Sequence, residues 1–496
     1  MNARRASSLL ARVGRVRRIG LWLGPAMAMG MGLVPPPAGL DAVGWRTAAV
    51  ATLMAVWWLT EAIPISATAL VPLVLFPPLG VLSASAAAAP YAQELIFLFM
   101  GGFLIAAAME RWGLHRRIAL AVMSRAGNSP GRLILGFMLA TAFLSMWISN
   151  TATAAMMLPV AIAVAETLRP SDPHGRFGFG LALMLGVAYS ASIGGMATLI
   201  GTPPNAVFAA AMAELRGVEI GFGRWMMVGL PVSLVMLPIA WFLLTRVLYR
   251  LGDLSGDAAA VIRAERLALG PASRGEWVVG VVFVLTASAW LLRAPKSLGF
   301  IDLPGIQTWA PGVRDSTIAM AGALVLFLIP VDRKRGRRAL DWETARGIPW
   351  GVLVLFGGGL SLAHAMDVSG LAVWIGNGVT GLASIPGLIV LAVVATLFIF
   401  LTEVTSNTAT ATMAMPIMAG IAIPLGLPPE TLMATAALAC SMAFMLPVAT
   451  PPNAIVFSSG YVSIAEMSRA GLLLNLIGIG LITLIAGLLI PAVLVR

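Results

Sequence analysis

The sequence predicts an all-α polytopic membrane protein built from two related halves, and three observations carry that prediction. The 496 residues are 59% hydrophobic and 11% charged, with a mean hydropathy of +0.93, whereas soluble domains carry about 25% charged residues. The apolar residues fall in runs close to the roughly 20 that a helix needs to cross a ~30 Å hydrocarbon layer. Two polar motifs inside such runs each occur twice, in the same order. Composition excludes a soluble interaction module. A nucleic-acid binder is excluded as well, because it would gather the net charge of +11 on a soluble face, and here the arginines lie between apolar runs. The single cysteine, Cys440, forbids an intrachain disulfide, and His115, His174 and His364 are too scattered for a zinc site.

Taken in order, residues 1–44 form a basic N-terminus and a first helix from about Ile19 to Val34, ended by PPPAGL. We read it as an uncleaved helix rather than a signal peptide. The first half, 45–250, continues with a helix from near Trp45 and a third helix from about Ala67 to Leu82. The stretch YAQELIFLFMGGFLIAAAMERWGLHRRIALAVMSR is apolar and then amphipathic and basic, so its second part should lie at the membrane interface. Residues 133–168 are apolar around a central SNTATA and read as a re-entrant hairpin, followed by the turn RPSDPHGR. A broken helix over 179–212 is interrupted by GTPPN, and Met226 to Leu248 closes the half. Residues 251–274 are the polar linker between halves. In the second half, 275–496, helices are expected from Trp277 to Leu292, Ser316 to Val331 and Pro349 to Met366. A second hairpin at 383–423, a second broken helix at 432–457 and a last helix from Ala470 to Val495 follow.

Positive charge orients this map. Arg4, Arg5, Arg12, Arg15, Arg17 and Arg18 put the N-terminus in the cytoplasm, and the groups around Arg111–Arg125, Arg246–Arg274 and Arg333–Arg346 mark later cytoplasmic segments. A hairpin at 133–168 entering from inside reconciles these loops, since a simple crossing would leave one of them on the wrong side. With Lys only at 296 and 334 beside abundant Arg, Ala and Gly, the composition fits a high-GC bacterial gene and hence the inner (cytoplasmic) membrane.

The repeat is the most informative feature. LSMWISNTATAAMMLPV at 144–160 aligns without gaps to LTEVTSNTATATMAMPI at 401–417, with nine of the 17 positions identical. GTPPNAVF at 201–208 is matched by ATPPNAIVF at 449–457. An odd number of crossings between the copies makes the repeat inverted. Polar, proline-broken backbone at membrane depth is tolerated only where protein or a water-filled cavity satisfies the freed N–H and C=O groups. Such breaks offer helix N-termini to anions and free carbonyls to small cations. Serine, threonine and asparagine oxygens add cation ligands, and the Asn amide also donates to a carboxylate. Singly, these residues more often glue helices together; two duplicated pairs favour a binding site.

WWLTEAIPISATALVPLVLFP at 57–77, the two SNTATA tips, GTPPNAV and MLPVATPPNAIVFSSGY at 445–461 together resemble the divalent anion/sodium symporter family, which includes the sodium/dicarboxylate cotransporters. The resemblance spans residues 45–496. It implies a homodimer, eleven membrane helices, two re-entrant hairpins and an elevator movement of a transport domain against a scaffold. It also implies a sodium site using Ser145, Ser149, Asn150 and Gly201, and a second using Thr402, Thr405, Asn407 and Ala449. The substrate carboxylates would meet Asn150, Thr151, Thr202 and Pro203 from one half and Asn407, Thr408, Thr450 and Pro451 from the other.

No Arg or Lys lies within the hairpin tips or the TPPN segments. A dianion there needs positive charge from elsewhere, and bound Na+ provides it. The expected function is sodium-coupled symport of a C4 dicarboxylate such as succinate, malate or fumarate. A sodium-independent exchanger or a citrate or sulfate transporter of the same family is the alternative. A membrane-embedded enzyme is disfavoured because no HExxH, GxSxG or paired catalytic Asp motif falls at a break. Glu61 reads as a structural hydrogen-bonding group, Glu403 as either tuning cation binding or fixing the hairpin, and His364 as a packed or gating residue. The Trp57–Trp58 pair reads as interfacial or dimer packing.

Overall fold

Helix starts in this chain are written by short polar caps and prolines. Asp41, Gln93, Ser149, Ser273, Ser406 and Ser463 each accept a backbone N–H of the helix that follows. Pro130, Pro203, Pro429 and Pro451 occupy first positions, where a missing N–H costs nothing. The resulting architecture is seen in a computed structural model that describes residues 2–127, 129–168, 178–252, 257–297, 302–332 and 334–495. The turn RPSDPHGR, with His174, lies outside the described residues. Among the described residues, strand is confined to two small antiparallel pairs, Lys296–Ser297 with Asp302–Leu303 and Pro330–Asp332 with Arg337–Arg338.

The first helix is Asn2–Leu33, interrupted by Pro25, and the second is Ala42–Thr60. The single third helix expected over 67–82 is not formed. Instead, two short helices, Ile65–Thr68 and Val71–Leu75, occupy the region, because Pro64, Pro72, Pro77 and Pro78 punctuate it. Glu94–Arg111 is a long apolar helix, and the basic amphipathic segment after it is a separate helix, Leu114–Met123. Among the described residues, seven helices are long and apolar enough to cross a membrane, and four shorter apolar ones accompany them.

Each half then presents the same unit. The first hairpin consists of Pro130–Ser145 and Asn150–Thr167, and the first broken helix of Gly178–Gly195 and Pro203–Arg216. The second hairpin consists of Gly387–Thr402 and Asn407–Ala422, and the second broken helix of Pro429–Ala439 and Pro451–Ser458. Helices Phe222–Phe242 and Ile464–Leu494 pack on these units. The largest apolar core joins hairpins, broken helices and these two helices, while a second core is centred on 40–82 with 355–371 and a third on 104–109 with 279–282 and 323–348.

The polar linker is more than a tether. It contains the helix Ala258–Ala268, which lies against Leu114–Met123. Arg116 pairs with Glu265, and Arg117 donates to Glu276 at 2.5 Å and to the Gly270 carbonyl at 3.0 Å. A second polar cluster sits where the 217–221 connector meets the helices Arg274–Leu291 and Asp315–Leu328. There Arg293, 7% exposed, bridges Glu219 at 2.6 Å and Asp315 at 2.8 Å, and Asp315 also accepts the Phe222 N–H at 2.6 Å. Such a cluster keeps its charges inside the protein because each is paired.

Candidate binding site at the paired helix breaks

The two hairpin tips and the two helix breaks converge on one cavity of about 780 Å³. Its wall includes Ser149, Asn150 and Thr151 from the first tip and Gly201, Thr202 and Pro203 from the first break. Ser406, Asn407 and Thr408 from the second tip and Ala449, Thr450 and Pro451 from the second break complete it. Four helices therefore begin at this cavity, at Asn150, Pro203, Asn407 and Pro451. Two of these helices open with Pro-Pro, which carries no N–H, and Ser149, Ser406 and Thr450 each accept one N–H of the helix that follows; the aligned peptide dipoles place partial positive charge at the cavity.

Ser145 and Thr402 stand behind the wall, both fully buried. The Thr402 hydroxyl donates to Asn407 Oδ1 at 2.6 Å and approaches the Cys440 carbonyl at 3.1 Å. In the first half Ser145 Oγ lies 2.5 Å from the Asn150 amide and 2.7 Å from the Ala191 carbonyl. With its nitrogen turned inward, the Asn150 amide also reaches the carbonyls of Ala191 at 3.1 Å and Gly201 at 3.2 Å. In each half, a tip hydroxyl thus meets the tip amide and a backbone carbonyl of the broken helix. This set of hard oxygen donors suits a small monovalent or divalent cation.

Thr405 does not line the cavity. Its hydroxyl donates to the Leu401 carbonyl at 2.7 Å and lies 2.7 Å from Thr410 Oγ1. Its counterpart in the first repeat is Ile148, whereas Ser406 aligns with Ser149 and shares its position on the cavity wall.

Asn205 and Asn453 are further members that a reading of the tips alone misses. Each is fully buried at the start of the helix after its break. Asn205 Nδ2 reaches the carbonyls of Gly195, Met196 and Thr198 at 3.2, 3.2 and 2.7 Å. Asn453 Nδ2 reaches those of Ala443 and Leu446 at 3.1 and 3.0 Å. They satisfy carbonyls that the break removes from the helical ladder. The duplicated TPPN contained this signal, since its Asn recurs along with the prolines.

The other singled-out groups have mostly structural settings. Glu61 is the left-handed cap of Ala42–Thr60, with φ of 46°, pairs with Arg17 at 2.7 Å, and contributes to the cavity wall together with Glu110. His364 Nδ1 lies 3.3 Å from Glu214 Oε1. Trp58 is fully buried and donates to the Ile65 carbonyl at 3.0 Å. Glu403 is buried and accepts from Phe444, Met445 and Leu446 backbone N–H groups. Among the described residues no cluster of His, Cys, Asp and Glu is arranged to hold a transition metal.

Comparison with known proteins shows the family and the fold. The chain is 42% identical over 484 residues to a protein of Staphylococcus saprophyticus named sodium-dependent dicarboxylate transporter SdcS, covering 96% of this chain and 92% of the relative. The protein of the same name from Staphylococcus aureus strain USA300 is 41% identical over 486 residues, with the same coverage. Among solved structures, the Alcanivorax borkumensis YdaH transporter superposes with a TM-score of 0.57 at 14% identity, covering 97% of this chain and 98% of that one. Neisseria gonorrhoeae MtrF gives 0.55 at 13% identity, covering 95% and 94%. These two share the fold alone. The family model described as the sodium:sulfate symporter transmembrane region matches residues 17–495, and with paired tips and breaks meeting at one cavity, the chain belongs to that family of membrane transporters.

Proposed function

We propose that this protein is a sodium-coupled symporter of C4 dicarboxylates such as succinate, malate or fumarate. The observation that carries this reading is a cavity bounded by four helix N-termini and duplicated Asn and Thr side chains, whose wall contains Glu61 and Glu110 but no Arg or Lys. A helix N-terminus contributes about 0.3–1 kcal/mol toward an anion in an exposed setting. A cation about 4 Å from a carboxylate contributes roughly 4 kcal/mol at an effective dielectric near 20. Sodium is therefore the larger source of attraction for a dianion, and coupling follows from that difference. The relatives named as sodium-dependent dicarboxylate transporters support the choice of ion and substrate.

In this reading one sodium ion is held by Ser145, Ser149, Asn150 and Gly201, and another by Thr402, Thr405, Asn407 and Ala449, partly through backbone carbonyls. The substrate carboxylates meet Asn150, Thr151, Thr202 and Pro203 on one side and Asn407, Thr408, Thr450 and Pro451 on the other. The N-terminus lies in the cytoplasm, the two repeats are inverted, and the protein works as a homodimer in which the hairpin-bearing body moves as an elevator. The division of the apolar cores into a hairpin-centred body and two smaller ones supports such a movement.

The test is uptake of radiolabelled succinate into proteoliposomes with and without an inward sodium gradient. Uptake should rise sigmoidally with sodium, and potassium should not replace it. Saturating succinate/succinate exchange in sodium-free choline buffer would refute symport in favour of exchange. For the movement, single cysteines introduced near the two tips, outside the ligands named above, in a Cys440→Ala background should change labelling reciprocally on adding sodium and succinate. Unchanged labelling of both from both sides contradicts the elevator.

A further inference from the structure

At hairpin-tip position 146 in the first repeat stands Met; its partner, 403, is Glu. The substitution of a thioether by a carboxylate is the sharpest chemical difference between the two aligned tips. Glu403 is 3% exposed, yet no Arg, Lys or His forms an ion pair with it among the described residues. Its charge is held by neutral donors. Oε1 accepts the N–H groups of Phe444 at 2.7 Å and Met445 at 2.9 Å and the Asn475 amide at 2.7 Å, and Oε2 accepts the N–H of Leu446 at 3.1 Å.

Those three N–H groups lie in the break between Ala439 and Pro451, where the helical ladder no longer supplies acceptors. Successive backbone N–H groups turned toward one point form a concave anion site, and a carboxylate there makes charge-assisted bonds stronger than neutral ones. The carboxylate thus ties the tip to the break. It stands one residue from Thr402, whose hydroxyl bridges the Asn407 amide and the Cys440 carbonyl. In the first half the same junction is made by a neutral group: Thr198 Oγ1 donates to the Met146 carbonyl and accepts the Gly201 N–H at 3.1 Å.

We infer that Glu403 is the positioning residue of the second sodium half-site, and that the two half-sites are consequently unequal. The second is assembled and biased toward cations before sodium arrives. The first is held by neutral groups alone, the Thr198 hydroxyl among them. This inference rests on the sodium-coupled reading above and specifies what holds one of its half-sites.

The experiment is a sodium titration of succinate uptake by reconstituted wild type, Glu403→Gln and Asn475→Ala. Glu403→Gln should raise the sodium concentration for half-maximal uptake at least fivefold, while the maximal rate and the succinate KM at saturating sodium stay within twofold. Asn475→Ala removes one of the four hydrogen bonds and should move the midpoint in the same direction by about twofold. Wild-type midpoints in both variants, or a reduced maximal rate with an unmoved midpoint, overturn the inference. If Glu403→Gln yields no folded protein, the Asn475→Ala midpoint decides. If wild-type uptake itself is indifferent to sodium, the symport reading falls and takes this inference with it. A sodium-dependent wild type with unmoved variants removes this inference alone.

Discussion

The two helix breaks share TPPN and an asparagine that gathers freed carbonyls, yet they are built around different neighbours. The first break has Gly195 and Gly201 where the second has Ala443 and Ala449. A Cβ at Gly201 would stand 2.4 Å from the Gly195 carbonyl oxygen, and one at Gly195 would stand 2.6 Å from Asn150 Oδ1. The first tip is also wedged by aromatic packing, with Trp147 stacked on Phe222 and set edge-on to Phe283, at centroid distances of 5.9 and 5.0 Å. Its partner in the second tip is Val404, 64% exposed. The first half is therefore held by close backbone approach and ring packing, and the second by a buried carboxylate. Duplication preserved the Ser, Asn, Thr and Pro side chains that face the cavity, while the groups behind them diverged. The lesson is that ligand identity and ligand support are separable.

Mutations that ignore this difference should have the largest effects. Asn150→Ala and Asn407→Ala each remove an amide placed between the cation donors and the cavity, and each should reduce succinate uptake to background while leaving a folded, monodisperse protein. Near-normal uptake in either purified variant breaks the equivalence of the two tips. The comparison sharpens next at the glycines. Gly201→Ala forces backbone apart and should lower uptake at least about tenfold, whereas Ala449→Gly at the matching position should stay within about twofold. Equal effects would mean that the two breaks are equally tight. Thr198→Val keeps the shape but orphans the Gly201 N–H and the Met146 carbonyl. A loss of about 1–2 kcal/mol is expected, visible as a lowered melting midpoint and a several-fold drop in uptake. The smallest effect belongs outside both breaks: Arg17→Ala deletes an ion pair whose side chains are 52% and 47% exposed. It should change thermal stability by no more than about 0.5 kcal/mol, and uptake not at all. A large loss there would make Glu61 part of the working site.

The hairpins and breaks were legible because a polar, proline-containing sequence inside an apolar run has few physical solutions, and its duplication removed most of the coincidence. The proline-rich stretch after Glu61 was read less well. Apolarity from Ala67 to Leu82 predicts burial in lipid or protein, but four prolines between 64 and 78 leave room only for short helical turns. The linker helix Ala258–Ala268 was hidden for the opposite reason: an amphipathic helix at an interface has too much charge to look like a span. Thr405 rests on the resemblance alone: its hydroxyl is directed to Leu401 and Thr410, which leaves its backbone carbonyl as the group through which it could serve. Glu403 was visible as a carboxylate near the tip, but its partners are backbone N–H groups some 40 residues away, which no side-chain pattern announces.

The closing helix, Ile464–Leu494, has 31 residues. At 1.5 Å per residue it is about 46 Å long, against a hydrocarbon layer of ~30 Å. It must tilt or carry its ends into the headgroups. One side packs on the second hairpin and second broken helix, and the other leaves Leu472, Leu476, Leu484 and Leu488 uncovered. The body that holds the second half-site therefore has acyl chains as a direct neighbour. Bilayer thickness becomes a thermodynamic variable of that body, and reconstitution into short- and long-chain lipids should rank its activity by chain length.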